Sequence, residues 1–141
     1  VVGAHHPFAG KRSVRLDQVA EETLILFHPD SVSRKIVDEH FGEAGLSPRV
    51  VMEMRSPEAM RKLVEAGVGV SFLPRIAVAE SLASGAVKRV KVRGVTFERE
   101  IGLAWRKGRY FAPAVRMLIE DFLASFDLVD TWRQRVDSVS N

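Results

Sequence analysis

Apolar positions along the chain fall into short blocks separated by polar residues, glycines and prolines. Thr23-Leu24-Ile25-Leu26-Phe27 is a continuous apolar run between polar neighbours, which predicts a strand buried on both faces, as in a parallel sheet. After His28-Pro29-Asp30-Ser31-Val32-Ser33 a helix is expected to about Ala44, with Val37, Phe41 and Ala44 on its inner stripe and Gly45 as its stop. Arg49 to Met54 predicts a second strand. Ser56 and Pro57 then open a helix, the serine as N-cap and the proline at the first helical position. Ala59, Met60, Leu63 and Val64 share one face of it, and Gly67 ends it. Val68, Val70 and Phe72 alternate in a short buried strand that Pro74 closes.

Flanking segments are less strongly patterned. Val1 to Ala4 reads as a strand tail and His5 to Arg12 as a loop. Ser13 to Glu22 reads as a short capped helical turn with Leu16 and Val19 inward. A helix over Arg75 to Leu82 should turn Ile76, Ala79 and Leu82 inward and stop at Gly85. Val87 to Arg93 alternates valine with Arg89, Lys91 and Arg93, as an edge strand with water-facing charges would. Phe97, Ile101, Leu103 and Trp105 alternate against Glu98 and Glu100, which predicts another strand. Arg106 to Arg109 is a basic turn. Pro113 opens a helix whose one face carries Val115, Leu118, Ile119, Phe122 and Phe126. In the polar tail Leu128, Trp132 and Val136 recur every four residues, the spacing of a short amphipathic helix. Strand and helix alternate along the chain, so the fold class is α/β, a doubly wound and mostly parallel sheet with helices on both faces. Thr23–Phe27 and Val68–Leu73 should be its inner strands.

Composition narrows the function classes. Of 141 residues, 46% are hydrophobic and 28% charged, enough for a packed core and an ordinary polar surface. Twenty-one basic residues against 18 acidic leave a net charge of +3, too little to mark a nucleic-acid surface. With no cysteine, disulfides, thiolate metal sites and cysteine nucleophiles are excluded. His5 and His6 have no nearby Asp, Glu or Cys to complete a metal site and read as loop histidines. Neither a glycine-rich phosphate loop nor a Gly-x-Ser-x-Gly elbow occurs. Carboxylate neighbours such as Glu21/Glu22, Asp38/Glu39 and Glu120/Asp121 splay apart on a helix rather than form an acid–base pair. His40, beside an inner helical stripe, reads as a surface or half-buried residue. Nothing nominates an enzyme, a cofactor or a membrane span, and no signal peptide is visible. The chain starts without Met and is expected to belong to something longer or processed.

The helix–turn–strand unit carries a family likeness. Ser56-Pro57-Glu58-Ala59-Met60, Leu63-Val64, Ala66-Gly67-Val68-Gly69-Val70 and Leu73-Pro74, in that spacing, resemble the signature of the effector-binding domain of LysR-type transcriptional regulators. His6-Pro7-Phe8-Ala9-Gly10 resembles the segment where that family's chain crosses between its two subdomains. Gly102-Leu103-Ala104-Trp105-Arg106-Lys107-Gly108 resembles the return strand. The likeness covers roughly residues 5 to 126 in matching order.

The resemblance implies a cytoplasmic DNA-binding regulator whose effector domain has two α/β lobes, like a type 2 periplasmic solute-binding protein. Residues 11–94 would form most of the second lobe. Residues 1–10 and 95–126 would belong to the crossovers and the first lobe, and 127–141 to an extra C-terminal tail that departs from the family. The N-terminal helix-turn-helix that contacts DNA, and much of the first lobe, would lie upstream of Val1. The resemblance also implies homo-oligomers, most simply a dimer through a helix such as Ser33–Ala44 or Arg75–Leu82. A solute-binding component of a transporter would share the architecture, as would a ligand-free dimerisation module.

In an open α/β sheet, ligands bind outside the carboxyl ends of the strands. The expected effector site therefore gathers Pro29, Asp30, Ser31 and Ser33 at one strand–helix turn, Arg55 and Ser56 at a second, and Ser71 and Phe72 at a third strand end. Helix N–H groups, hydroxyls and the Arg55 charge would suit a small anionic or polar effector. The alternative assignment makes Ser31, Ser33 and Ser56 helix caps and leaves Arg55 in water.

Overall fold

The computed structural model describes residues 1–98, 102–106, 109–126 and 128–132. Glu100, Ile101, Lys107, Gly108, Val136 and the tail beyond it, all named above, lie outside the described residues. Contacts divide the chain into two compact units, Val1–Glu100 and Ile101–Asn141.

The first unit holds β1 (Val2–Gly3), β2 (Ser13–Val14), α1 (Leu16–Ala20), β3 (Leu24–Phe27), α2 (Val32–Glu43), β4 (Val50–Met54), α3 (Pro57–Glu65), β5 (Val70–Ser71), α4 (Arg75–Ser84), β6 (Val87–Lys88) and β7 (Lys91–Val92). At its centre β3 lies between β4 and β5, parallel to both. Every residue of β3 is buried, and side chains alternate between two cores. Leu24 and Leu26 pack with Leu16, Val19, Val37 and Phe41 of α1 and α2. Ile25 and Phe27 pack with Met60, Val64 and Val78 of α3 and α4. Helices thus cover both faces, and this double burial is why the strand carries no polar position. Ser71 N–H donates to Val1 O (3.1 Å) and the Val1 nitrogen to Ser71 O (2.7 Å), an antiparallel exchange that sets β1 beside β5. Val68, half-exposed, precedes the strand rather than joining it.

Further readings of the sequence are corrected. Ile76 is 87% exposed, and α4 buries Val78 and Ser81 instead, with Leu82 half-buried; Ala77, Val78, Ala79 and Ala83 supply small or apolar residues all round the helix, so periodicity does not select a face. The stretch from Val87 to Arg93 is two strands, not one. β6 pairs antiparallel with β1 and β7 parallel with β2, because alternation fixes the face of a residue and not its partner. Residues 102–106 form no strand among the described residues; a strand needs a ladder partner, and none is present there.

The second unit contains α5 (Pro113–Ala124) and a helical turn at 129–132. Leu123 and Trp132 are its buried centre, with Trp105, Phe111 and Ile119 against them. Val115, Leu118, Phe122 and Phe126 of the expected apolar face are exposed.

On the outer side of the α3/α4 core the Glu65 carboxylate receives hydrogen bonds from Ser81 Oγ, from Lys62 Nζ at 3.0 Å and from Arg61 Nη1. These bonds hold its pKa down at about 2, against 4.5 ordinarily. A depressed carboxylate stabilises the fold above its unfolded pKa and loses that contribution as pH falls through the folded value. Acid titration of the unfolding free energy is therefore expected to show a Glu65-dependent decline between about pH 4.5 and about pH 2. Glu65→Gln should flatten that limb and leave neutral-pH slopes alone. Superimposable acid limbs for the two proteins would refute the linkage.

Candidate functional site

Because β3, β4 and β5 run parallel, their carboxyl ends open on one edge. The turns after them lead into α2, α3 and α4. At the first, Ser31 is the N-cap of α2 by backbone geometry, and its hydroxyl makes no capping hydrogen bond. Arg34 secures this turn from behind. Its guanidinium donates to Phe27 O (3.0 Å) and pairs with Asp38 (2.8 Å) and Glu53 (2.7 Å). At the second turn Ser56 caps α3, accepting from Ala59 N–H at 3.2 Å. At the third, Pro74 leads into α4 with no side-chain cap.

A cavity of about 940 Å³ opens beside this edge. Among its lining residues are Ser33, Val37, Ser71, Phe72, Val78 and Phe97. Of the expected site, the cavity brings together Ser33, Ser71 and Phe72. Pro29, Asp30, Ser31, Arg55 and Ser56 do not line it. Arg55 and Asp30 instead form an exposed pair (3.3 Å) with His28, whose Nδ1 lies 3.2 Å from Arg55 and 3.1 Å from Asp30. Ser56 is occupied as a cap, so its hydroxyl serves α3.

Ser71 is the unusual member. It is 0% exposed, and its Oγ has no hydrogen-bond partner. Ser71 is in register with Ile25, which packs with Met60, Val64 and Val78, so its hydroxyl faces the α3/α4 core rather than the cavity space; a buried hydroxyl left unpaired there carries a cost of about 1–3 kcal/mol. Phe72 and Phe97 touch in the cavity wall, ring centroids 4.5 Å apart, and Phe41 meets Phe72 edge-on at 6.2 Å.

The wall from Arg89 to Glu98 was not anticipated. It is fastened by Arg93, whose N–H donates to Val14 O (2.9 Å) and whose Nε donates to Ser13 Oγ (3.0 Å). His40 Nε2 lies 3.2 Å from Thr96 O, and its ring meets Phe97 edge-on. The alternating Arg89/Lys91 pattern was a visible signal; it reads as solvent-facing charge until the path of the chain is known. Both residues are exposed and also border the cavity. No group of three His, Asp or Glu side chains able to hold a metal occurs among the described residues. No helix among them is long and apolar enough to cross a membrane.

The chain is similar to several known proteins. The profile of the LysR substrate binding domain matches residues 1–127. An HTH-type transcriptional regulator of Bacillus subtilis, YybE, is 30% identical over 121 residues, covering 86% of this chain and 40% of that protein. The effector binding domain of QuiR, solved in complex with shikimate, superposes with a TM-score of 0.72 at 30% identity, over 89% of this chain and 58% of that one. The regulatory domain of Synechocystis PCC6803 CcmR, in complex with 2-PG, has a TM-score of 0.76 at 21% identity, over 88% and 60%. The chain spans about 40% of the length of the curated relatives it matches.

Proposed function

The chain belongs to the LysR substrate-binding domain family, and from that premise we propose that it is the effector-sensing and oligomerisation part of a cytoplasmic regulator that binds DNA through an N-terminal helix-turn-helix. The relatives it matches are transcriptional regulators rather than enzymes or transport components. Residues 11–94 serve as the second lobe, with 1–10 and 95–126 as crossovers and first-lobe remainder. A small anionic or polar effector binds beside the carboxyl ends of β3, β4 and β5. It shifts the regulator only as far as it binds one arrangement better than another.

The observation that carries this reading is the 940 Å³ cavity beside the carboxyl ends of the parallel strands, with Phe72 and Phe97 in its wall. Ser33 and Phe72 line the same cavity. Pro29, Asp30, Ser31, Arg55 and Ser56 would contact the effector from the neighbouring strand-end turns, outside the cavity lining; there Arg55 and Asp30 pair with each other. The test is calorimetry on the two-lobed protein with an effector found by screening. Ser33→Ala is expected to weaken binding by about tenfold or more, since a hydrogen bond to a charged group contributes about 1.5–3 kcal/mol. Phe72→Ala should also weaken it. Unchanged affinity in both folded variants would sink the site.

Association is proposed to be dimeric, through α2 or α4. Ile76 on α4 and Val32 on α2 are large apolar side chains left in water, the kind of surface that marks contacts. Light scattering should report a dimer, and Ile76→Glu or Val32→Glu should shift it towards monomer. A monomer at high concentration would overturn the assignment.

A further inference from the structure

The small net charge conceals how the charges are placed. Six of the 21 basic residues, Lys11, Arg12, Lys88, Arg89, Lys91 and Arg93, fall within 11–14 and 85–97, two stretches that hold no Asp or Glu. The other 15 basic residues stand against 18 acidic ones, so this set carries +6 and the rest of the chain −3. The fold gathers the six. β2 pairs parallel with β7, Ser13 opposite Lys91 and Val14 opposite Val92, which sets Lys11 and Arg12 beside the segment that carries Arg89 and Lys91. Arg93 ties the two strands again through Val14 O and Ser13 Oγ. Val90 and Val92 pack against the core of Leu24 and Leu26, so Arg89, Lys91 and Arg93 at the alternate positions turn outward. All six cations are exposed. None is in a salt bridge with a described carboxylate. Lys11 Nζ rests over the Phe8 ring at 4.8 Å, which leaves its charge unneutralised.

Charges that only keep strand edges apart can be of either sign, and a uniform +6 exceeds that role. A small anion in the cavity does not account for the set either, because Lys11, Arg12, Lys88 and Arg93 do not line it. A protein partner needs an apolar centre to its contact, and none of the large exposed hydrophobic residues lies within 11–14 or 85–97. Arginine and lysine spread along a ribbon without exposed apolar side chains fit a polyanion met through its charge, as proteins meet the phosphates of duplex DNA. We propose that the β2/β7 ribbon is a second DNA contact, a sequence-independent phosphate-binding surface on the effector-sensing part of the protein. It rests on the reading of the whole protein as a DNA-binding regulator, and it adds to the contact made by the helix-turn-helix.

The experiment titrates the full-length protein onto a long, labelled, mixed-sequence DNA duplex at salt concentrations from about 50 to 200 mM. Each cation that meets a phosphate contributes about 0.9 to the slope of log affinity against log salt. Arg89→Gln/Lys91→Gln is expected to reduce that slope by about 2 per bound protomer and to weaken binding about tenfold or more at the lowest salt. Both side chains are exposed, so the variant should keep the parent's melting temperature. Arg49→Gln removes an exposed charge outside the ribbon and should leave the slope alone. Parallel lines for the parent and the double variant overturn the DNA contact and leave the regulator reading standing. A drop per charge as large in Arg49→Gln reduces the effect to net charge and overturns it too. An unchanged DNA slope with lost binding to poly-L-glutamate overturns it in favour of an acidic protein partner. A parent that fails to bind the duplex even at the lowest salt overturns both the contact and the regulator reading.

Discussion

Phe41→Ala is expected to destabilise the chain by about 3–5 kcal/mol, the usual cost of emptying an aromatic site in a core. Phe41 is 1% exposed and packs in the cluster that includes Leu24, Leu26 and Val37. It holds α2 to one face of β3. For a unit of this size the loss corresponds to a fall in Tm of roughly 15–25 °C. Total stabilities of about 5–15 kcal/mol make this a large share of the fold. The residue is also one step from function. Its ring meets Phe72 edge-on at 6.2 Å, and Phe72 lines the cavity. Phe41→Leu keeps most of the volume and should cost less than half as much, yet it removes the edge contact that orients Phe72. Thermal unfolding of both variants, with calorimetry of the responding effector, separates the two roles. A Phe41→Ala variant that melts within a few degrees of the parent would show that α2 is not anchored through this ring.

Those consequences trace to elements that were legible in the sequence. The run Thr23–Phe27 could be assigned because double burial removes every polar position, leaving a pattern with one reading. The helix from Pro57 could be assigned because its ends are chemically marked. Ser56 accepts from Ala59 N–H, and Gly67 takes φ +76°, a conformation that disfavours any residue with a Cβ. Where the marks were weak, inference failed for physical reasons. Ile76 was assigned inward because α4 is apolar on several sides, and burial followed the tertiary neighbours instead. The pairings of β6 and β7 depend on which strands lie alongside, which no local pattern records.

The site divides in the same way. Ser71 ends and Phe72 follows a strand that local sequence defines, and a parallel sheet puts such ends on one edge. Arg89, Lys91 and Phe97 reach the cavity only because the chain returns past β2 and lies over it. Arg55 and Ser56 were correctly set at a strand end. Their side chains are engaged by Asp30, His28 and the α3 amides, and partners of that kind are a matter of angstroms rather than of residue type.

Gly69→Ala is the second large effect expected, roughly 3 kcal/mol, and it acts where fold and site meet. A Cβ at Gly69 would stand 2.4 Å from the Thr23 carbonyl oxygen and 3.3 Å from Thr23 Cγ2. The obstacle is backbone of the residue that immediately precedes the central strand, so no rotamer change relieves it. Relief requires β5 to move off β3. That movement strains the Val70 N–H to Thr23 O hydrogen bond, 2.9 Å long, and the pairing of Ser71 with Ile25. Overpacking of this sort costs about 1–3 kcal/mol, and a weakened buried hydrogen bond adds about 1 more. Gly67 two residues earlier provides the comparison. An added Cβ there meets nothing within 4 Å, so Gly67→Ala bears only the left-handed backbone penalty of about 1 kcal/mol. Chemical denaturation should therefore rank Gly69→Ala well below Gly67→Ala in midpoint at equal slopes. Because β5 leads directly to Phe72 in the cavity wall, Gly69→Ala should also weaken effector binding under conditions where it is still folded, and Gly67→Ala should not. Equal midpoints, or the reverse ranking, would mean that β3 and β5 are less closely packed than the 2.4 Å approach requires.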